Sequence, residues 1–172
     1  MRIPNDKKEV FTALSKGETL NLSLSQILVL LNCKLPDAWI SFKPTFTKGQ
    51  KTNQVPYVNW TDITLILDYV CNFNWLADYE ISQVGDYVTF ICRLSVTGND
   101  GRTKTVVSTG NEPLSSGDYF GGPVCDAQAM SLRRAAATLG LGRYLYYPAL
   151  TSPTSNSNTL TPINQRVSTT LR

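Results

Sequence analysis

The chain contains no histidine, so catalysis by an imidazole is excluded. The functional side chains that remain most prominent are the cations Lys and Arg. Sixteen Lys and Arg outnumber thirteen Asp and Glu, which gives a formal net charge of +3. Without an imidazole there is no Ser-His-Asp or Cys-His catalysis and no His-ligated zinc or haem site. Cations neutralise phosphates, so recognition of an anion is the chemistry that the composition favours.

The positive charge is unevenly distributed along the chain. The net charge is +3 over 41–60, −5 over 61–92 and +5 over 127–172. This clustering predicts a polyanionic partner more strongly than the total charge does. The candidate anion-binding residues fall into three groups: Lys43, Lys48 and Lys51; Arg93, Arg102 and Lys104; and Arg133 with Arg134.

Arg133 and Arg134 are adjacent in an Ala-rich segment with no neighbouring acid. Small residues let a helix pack closely against other elements, and burying an unpaired guanidinium is costly. We therefore expect this pair to face solvent or a polyanion. Arg143 follows a predicted helix stop at Gly140, and we expect it to cap that helix end, with an anion contact as the alternative.

The second group of cations depends on a hairpin with turn residues at 99–101. If the chain turns there, Ser95 faces Lys104 across the pair of strands. Strand side chains alternate between the two faces with a period of two. Arg93, Arg102 and Lys104 are therefore predicted to share the polar face of one sheet.

Aromatic residues are interleaved with these cations. Basic grooves with aromatic platforms bind single-stranded nucleic acid, and stacking contributes roughly 1–3 kcal/mol per base. The alternative is that most of these aromatics belong to the core and the basic runs are solvated faces. The set comprises Trp39, Phe42, Phe46, Tyr57, Trp60, Tyr119, Phe120, Tyr144, Tyr146 and Tyr147.

A metal-dependent nuclease would need clustered carboxylates. The acid-rich stretch is 61–92, where Asp62 and Asp68 are predicted on the outer face of a helix. Asp78 and Glu80 alternate with apolar residues that we expect to be buried. We therefore predict a solvated acidic rim, which could pair with the basic edge of a neighbouring subunit. No metal or other cofactor is predicted.

The four cysteines are spaced too widely for a CxxC metal site or a dense disulfide framework. Cys33, Cys71 and Cys92 lie in apolar runs and are expected to be buried free thiols in a reducing cytosol. The N-terminus is too polar for a signal peptide, and the longest apolar run, 27–31, is too short for a membrane span. A cytoplasmic protein is predicted.

Apolar periodicity predicts an α+β chain, in which an antiparallel β-meander packs on a long Ala-rich helix. In the middle strand of the meander, even-numbered apolar residues alternate with polar ones, which is typical of a half-buried strand. The predicted elements are helices over 6–14 and 23–33, a strand over 39–48, a helix after Asn59, strands over 75–83, 87–96 and 102–109, and the Ala-rich helix from Pro123 to Gly140.

The composition changes at about Thr151. Fifteen of the last 22 residues are Ser, Thr, Asn or Pro. Such a segment cannot bury enough apolar area to offset its ordering entropy. We predict one domain over 1–150, followed by a disordered tail over 151–172.

Two stretches resemble a known family. Residues 126–146, DAQAMSLRRAAATLGLGRYLY, look like the long helix and exit turn of the single-strand annealing protein superfamily (Rad-fifty-two-like). The stretch from Trp39 through 57–63 to Trp75 resembles the family's first strand, the helix after it and the Trp that opens the meander. The resemblance covers roughly 38–148. It is closest to the branch of the bacterial DNA damage response protein A (DdrA).

The resemblance implies a β-β-β-α core that assembles into an oligomeric ring, with single-stranded DNA or its 3′ ends in a basic groove around the outside. Arg133 and Arg134 would match the family's phosphate-contacting pair. Arg93 and the hairpin cations would lie near the groove, and Lys48 and Lys51 in a loop before it. Thr61-Asp62 departs from the basic residue of the eukaryotic members, which favours the bacterial branch.

The function expected from this resemblance is strand annealing in DNA repair and recombination by a non-enzymatic, nucleoid-associated protein. Two alternatives stay open. One is a metal-dependent nuclease that acts on DNA ends, and the other is an oligomeric scaffold whose basic patches bind an acidic protein.

Overall fold

A computed structural model of the chain describes residues 2–44, 54–115 and 122–147. The α+β class is confirmed, with antiparallel sheets and four α-helices in the described part. The elements are α1 (Lys7–Ser15), α2 (Leu24–Leu31), β1 (Ser41–Pro44), β2 (Gln54–Tyr57), α3 (Trp60–Val70), β3 (Trp75–Val84), β4 (Tyr87–Thr97), β5 (Thr103–Pro113) and α4 (Gly122–Leu139), with 3₁₀ turns at Asp37–Trp39 and Arg143–Tyr146.

The meander is a three-stranded antiparallel sheet in the order β3-β4-β5. The predicted alternation in its middle strand is confirmed, because the even-numbered residues from Val88 to Val96 are buried. These side chains point to the face on which α4 packs, and α4 contacts both β4 and β5. The sheet and α4 therefore share one core.

The contact between α4 and β5 is a close approach of two backbones at Gly110. A Cβ atom at this position would lie 2.1 Å from the Ala127 carbonyl oxygen and 2.5 Å from the Ser131 amide nitrogen. Ala127, Ser131 and Ala135 are fully buried on the facing side of the helix. Because no side chain larger than glycine's hydrogen fits, this contact fixes the height and rotation of α4 over the sheet.

The end of α4 follows the predicted stop. Gly140 has a φ of +126° and Gly142 a φ of +67°, conformations that favour glycine. The Gly140 and Leu141 amides donate to the Ala136 carbonyl, which closes the last helical turn. The chain then enters the 3₁₀ turn at Arg143–Tyr146 and passes back over the helix end.

Two predictions about Asp62 and Asp68 are wrong. Asp62 does not face outward but is 8% exposed, and it forms an ion pair of 2.5 Å with Lys7 of α1. Asp68 accepts a hydrogen bond from the Trp75 Nε1 at 2.7 Å. Both carboxylates join elements of the fold, and the Asp62 pair helps attach α1 to α3.

The predicted strand over 39–48 is also corrected. Trp39 belongs to a 3₁₀ turn and is fully buried, with its Nε1 donating to the Pro4 carbonyl. The described strand is β1, which pairs with the unpredicted strand β2 in an antiparallel ribbon. β2 has four residues and contains Pro56, which weakens any strand pattern. Residues 45–53, between the two strands, lie outside the described part.

The cysteines are free, and only two of the three expected thiols are buried. Burial raises the pKa of Cys71 to about 12 and that of Cys92 to about 11, so both are protonated at neutral pH. Cys33 is exposed, because α2 ends two residues before it. In the described ranges, no helix is both long and apolar enough for a membrane span. The predicted tail, 151–172, lies outside them.

We predict that Gly110→Ala destabilises the protein by about 3 kcal/mol, because the new Cβ must push α4 away from β5. The free energy of unfolding is measured by urea denaturation. Asn111→Ala, at an exposed neighbouring position, is the matched control and should change stability by less than about 0.5 kcal/mol. Equal stability of the two variants would contradict the close packing.

Candidate nucleic-acid interface

The β4–β5 hairpin does not place the second group of cations on one face. Lys104 pairs with Val96, and Arg93 pairs with Val107, which is one residue out of the predicted register. A one-residue slip moves a side chain to the opposite face. Lys104 therefore lies on the face that α4 covers and Arg93 on the other face, so the prediction of a shared face is wrong.

Arg93 and Arg102 are already engaged in ion pairs. Arg93 lies 3.4 Å from a Glu80 oxygen, and Arg102 lies 2.8 Å from an Asp100 oxygen. Burial acts to raise the pKa of Asp100, but hydrogen bonds from Arg102 and from the Leu24 amide outweigh it and hold that pKa below its ordinary value. The Arg102 pair thus ties the hairpin to α2.

Three of the predicted anion-binding residues converge on one concave site. Lys43 of β1 and both Arg133 and Arg134 of α4 line a cleft of about 350 Å³ between the β1–β2 ribbon and α4. We call it the ribbon cleft. Its other lining residues are mainly apolar or aromatic: Val55, Pro56, Tyr57, Val58, Ile63, Met130, Leu141, Gly142, Leu145 and Tyr146.

The ribbon cleft exists because α4 presents two different sides. Ala127 and Ser131 face the sheet, whereas Arg133 is displaced round the helix toward the ribbon. Met130 and Arg134 lie between these two sides, because they line the cleft while the Met130 Cβ is close to Gly110 and Arg134 reaches the Thr109 carbonyl of β5. The Arg133 guanidinium carbon lies 5.4 Å from the centre of the Tyr57 ring, a cation–π contact with the ribbon. Arg133 is thus half-buried and directed into the cleft.

Arg134 connects the ribbon cleft to a second one. Its Nη1 donates to the Thr109 carbonyl at 2.9 Å, which leaves the guanidinium exposed beside the edge of β5. The second cleft has a volume of about 490 Å³ and shares Arg134 and Tyr146 with the first. We call it the helix-end cleft; it is also lined by Ser108, Ala137, Thr138, Arg143 and Tyr147.

Arg143 neutralises the C-terminal end of α4, beside the helix-end cleft. Its Nε donates to the Ala137 carbonyl at 3.0 Å, and its Nη2 donates to the Thr138 carbonyl. Those carbonyls form the negative end of the helix dipole, which by itself would repel a phosphate. The predicted capping role of Arg143 is therefore confirmed.

Three tyrosines of the interleaved aromatic set, Tyr57, Tyr146 and Tyr147, lie at the two clefts, as the prediction of aromatic platforms requires. Tyr57 and Tyr146 line the ribbon cleft, and Tyr146 and Tyr147 are each more than half exposed at the helix-end cleft. The available signal was the Tyr-Leu-Tyr that follows the glycine turn. By contrast, Trp39 belongs to the core, as the alternative interpretation expected.

Lys48 and Lys51 lie outside the described residues, as do Phe46, Tyr119 and Phe120. Within the ranges that the structure describes, no three Asp, Glu or Cys side chains form a group suited to a metal ion.

A cleft lined by both cations and tyrosines, on a helix packed against an antiparallel meander, defines a candidate nucleic-acid-binding α+β domain. No family model matches the chain. It is 30% identical over 150 residues to "DNA repair RAD52-like protein 2, chloroplastic" of Arabidopsis thaliana, across 84% of this chain and 72% of the relative.

A second relative, "DNA repair RAD52-like protein 1, mitochondrial" of the same plant, is 31% identical over 127 residues, across 72% of this chain and 68% of the relative. The chain belongs to the RAD52-like family of proteins. The predicted superfamily is therefore confirmed.

Arg143→Ala is expected to lower the free energy of unfolding by about 1–2 kcal/mol, because it removes two hydrogen bonds and a favourable charge from the helix end. Arg143→Lys should retain part of this stability through its charge. Urea denaturation measures both. Arg93→Ala, which removes an exposed ion pair, is the control and should cost less than about 1 kcal/mol. A loss at Arg143 no larger than at Arg93 would contradict the capping role.

Proposed function

We propose that this chain is a DNA repair protein that binds single-stranded DNA and anneals complementary strands without covalent chemistry. The observation that carries the proposal is the convergence of Lys43, Arg133 and Arg134 on a cleft lined by Tyr57 and Tyr146. The names of the two plant relatives, both DNA repair proteins, support the repair role.

The arrangement suits a flexible polyanion with flat side groups. The guanidinium and ammonium groups neutralise phosphates, and tyrosine rings stack on any base because every base has a π face. A duplex presents its phosphates on a stiff cylinder with its bases stacked inside, so it cannot use tyrosines inside a cleft. Contacts of this kind read no base code, which is the property that an annealing protein needs.

We place the main DNA contacts at Arg133, Arg134 and Lys43. Lys48 and Lys51 belong to the segment that connects β1 to β2, the two strands beside the ribbon cleft, and we retain them as proposed contacts. Arg93, Arg102 and Lys104 also stay predictions. The first two are held in ion pairs, and we expect all three to contribute less.

We also propose self-assembly into a ring. In the described sheet, β3 and β5 are the edges. β3 carries the exposed Asp78 and Glu80 and adjoins an apolar cleft of about 470 Å³, which includes Trp60 and Trp75. β5 carries Lys104. Two different edges of opposite charge, β3 of one subunit and β5 of the next, favour a head-to-tail contact. Repeated contacts of this kind can close into a ring.

Three finer points complete the proposal. We assign the chain to the DdrA-like bacterial branch, in part because the start of α3 carries Thr61 and Asp62 in place of the basic residue of the eukaryotic members. Protection of 3′ ends is a secondary role of the same groove. The place of action is the cytoplasm, on the nucleoid.

The double variant Arg133→Ala with Arg134→Ala should bind single-stranded DNA about tenfold or more weakly than the wild type, by the same factor for all sequences. The slope of log K against log salt should shrink by roughly 1.4, since each lost phosphate contact accounts for roughly 0.7. Fluorescence anisotropy with labelled oligonucleotides at several salt concentrations measures both quantities.

Arg93→Ala is the matched control, because it removes an arginine from the opposite face of the sheet, and it should retain nearly full affinity. Labelled complementary strands, with and without Mg²⁺, test the two alternatives. Annealing without metal supports the proposal. Mg²⁺-dependent shortening of the labelled strands would establish a nuclease instead. Absence of DNA binding at low salt would leave the scaffold that binds an acidic protein as the remaining alternative. Unchanged affinity of the double variant would remove the site assignment.

Charge reversal on β3 should break the oligomer. We expect Asp78→Lys with Glu80→Lys to reduce the native mass to that of smaller species, while the far-UV circular dichroism stays unchanged. The physical reason is repulsion between the new lysines and the basic edge of the neighbour. Asp86→Lys, in the β3–β4 turn, is the control and should leave the native mass intact. An intact oligomer in the double variant would contradict the proposed contact.

A further inference from the structure

The interior of the ribbon cleft is more apolar than phosphate binding requires. Cations that only neutralise a backbone can stand on a flat surface. Here they line a chamber of about 350 Å³ together with apolar side chains that include Val55, Val58, Met130 and Leu145. Small-ligand sites have volumes of about 300–1,000 Å³, with apolar walls and few polar groups, so this chamber is large enough for a separate occupant.

We propose that one nucleobase of the bound single strand turns out of the stack and enters the ribbon cleft, while the flanking phosphates stay on Lys43 and Arg134, two of the cations that line it. This inference rests on the proposed function and specifies how the site holds its ligand. The occupant follows from charge and shape together, because a nucleotide joins a flat ring of low polarity to an anion, and the cleft joins apolar walls to cations.

The contact between Arg133 and Tyr57 supplies the platform for that base. The guanidinium carbon lies 5.4 Å from the ring centre, so the two groups already form a cation–π contact. Bases stack both on tyrosine rings and on guanidinium planes. An entering base would extend this pair by one member, and the positive charge of Arg133 would remain beside the strand.

The walls also determine which bases fit. Among the described residues that line the ribbon cleft, no side chain carries a carboxylate or an amide. Discrimination between bases depends mainly on hydrogen bonds to their edges. The cleft therefore lacks the amide that reads adenine and the carboxylate that reads cytosine. Each subunit would withhold one base from pairing and leave the neighbouring bases free.

The experiment compares two oligonucleotides of equal length and charge, a twelve-residue oligothymidine and the same strand with tetrahydrofuran abasic sugars at its four central positions. The variant Met130→Trp fills the cleft and leaves all three cations in place, and Met130→Leu conserves its volume as the matched control. Val55→Trp, at an exposed position of β2, fills the cleft from the opposite wall and does not disturb α4.

We expect the wild type and Met130→Leu to bind the abasic strand about five- to tenfold more weakly than the intact strand. Met130→Trp and Val55→Trp should bind the intact strand only as tightly as the wild type binds the abasic strand. These two variants should bind the intact and the abasic strand with equal affinity. If both Trp variants still bind the abasic strand five- to tenfold more weakly than the intact strand, the stacked base lies elsewhere and the inference is overturned.

Equal affinity of the wild type for the two strands would also overturn the inference. Either result overturns only the inference about the base. The proposed function is retained if DNA binding still weakens with added salt and with removal of Arg133 and Arg134. The proposed function fails by a different result, the absence of salt-dependent binding to either strand.

Discussion

The contact on which the rest of this structure depends is the approach of two backbones, where α4 crosses β5 at Gly110. Backbone-to-backbone packing of this kind allows no adjustment by side-chain rotation, so it sets the rotation of the helix. With Ala127 and Ser131 against the sheet, Arg133 turns toward Tyr57 of the ribbon, and Arg134 lies between the ribbon cleft and β5. The placement of these two cations thus results from the smallest residues of the chain.

Cationic side chains in the described part of the molecule have two kinds of partner: carboxylates in ion pairs, and uncharged groups around the ribbon cleft. Most described ion pairs are used to join elements: Lys7 with Asp62 connects α1 to α3, and Arg102 with Asp100 secures the hairpin. Around the ribbon cleft the pattern changes, because Arg133 contacts a ring and Arg134 contacts a backbone carbonyl. Neither contact cancels the positive charge, so both guanidinium groups keep their charge at that surface.

Local patterns predicted the local features of the fold. The alternation in β4 and the glycine stop at Gly140 follow from short stretches of sequence, and so does the anomaly of two arginines in an Ala-rich helix. The β4–β5 register was missed by one residue, because the turn residues at 99–101 do not specify whether Arg102 or Thr103 pairs with Thr97. The cleft itself was not predictable, since its second wall is a strand that contains Pro56 and forms only by pairing with β1.

The ribbon that forms this second wall differs in kind from the sheet. A two-stranded ribbon has little stability of its own, and four paired residues on each strand give it few hydrogen bonds. Its local opening therefore requires less free energy than the opening of the meander. We expect the amide protons of β1 and β2 to exchange with solvent before those of β4, and a ligand that bridges the ribbon and α4 to slow their exchange. Occupancy of the cleft can then be read from the protection of six amides, because Pro44 and Pro56 carry none.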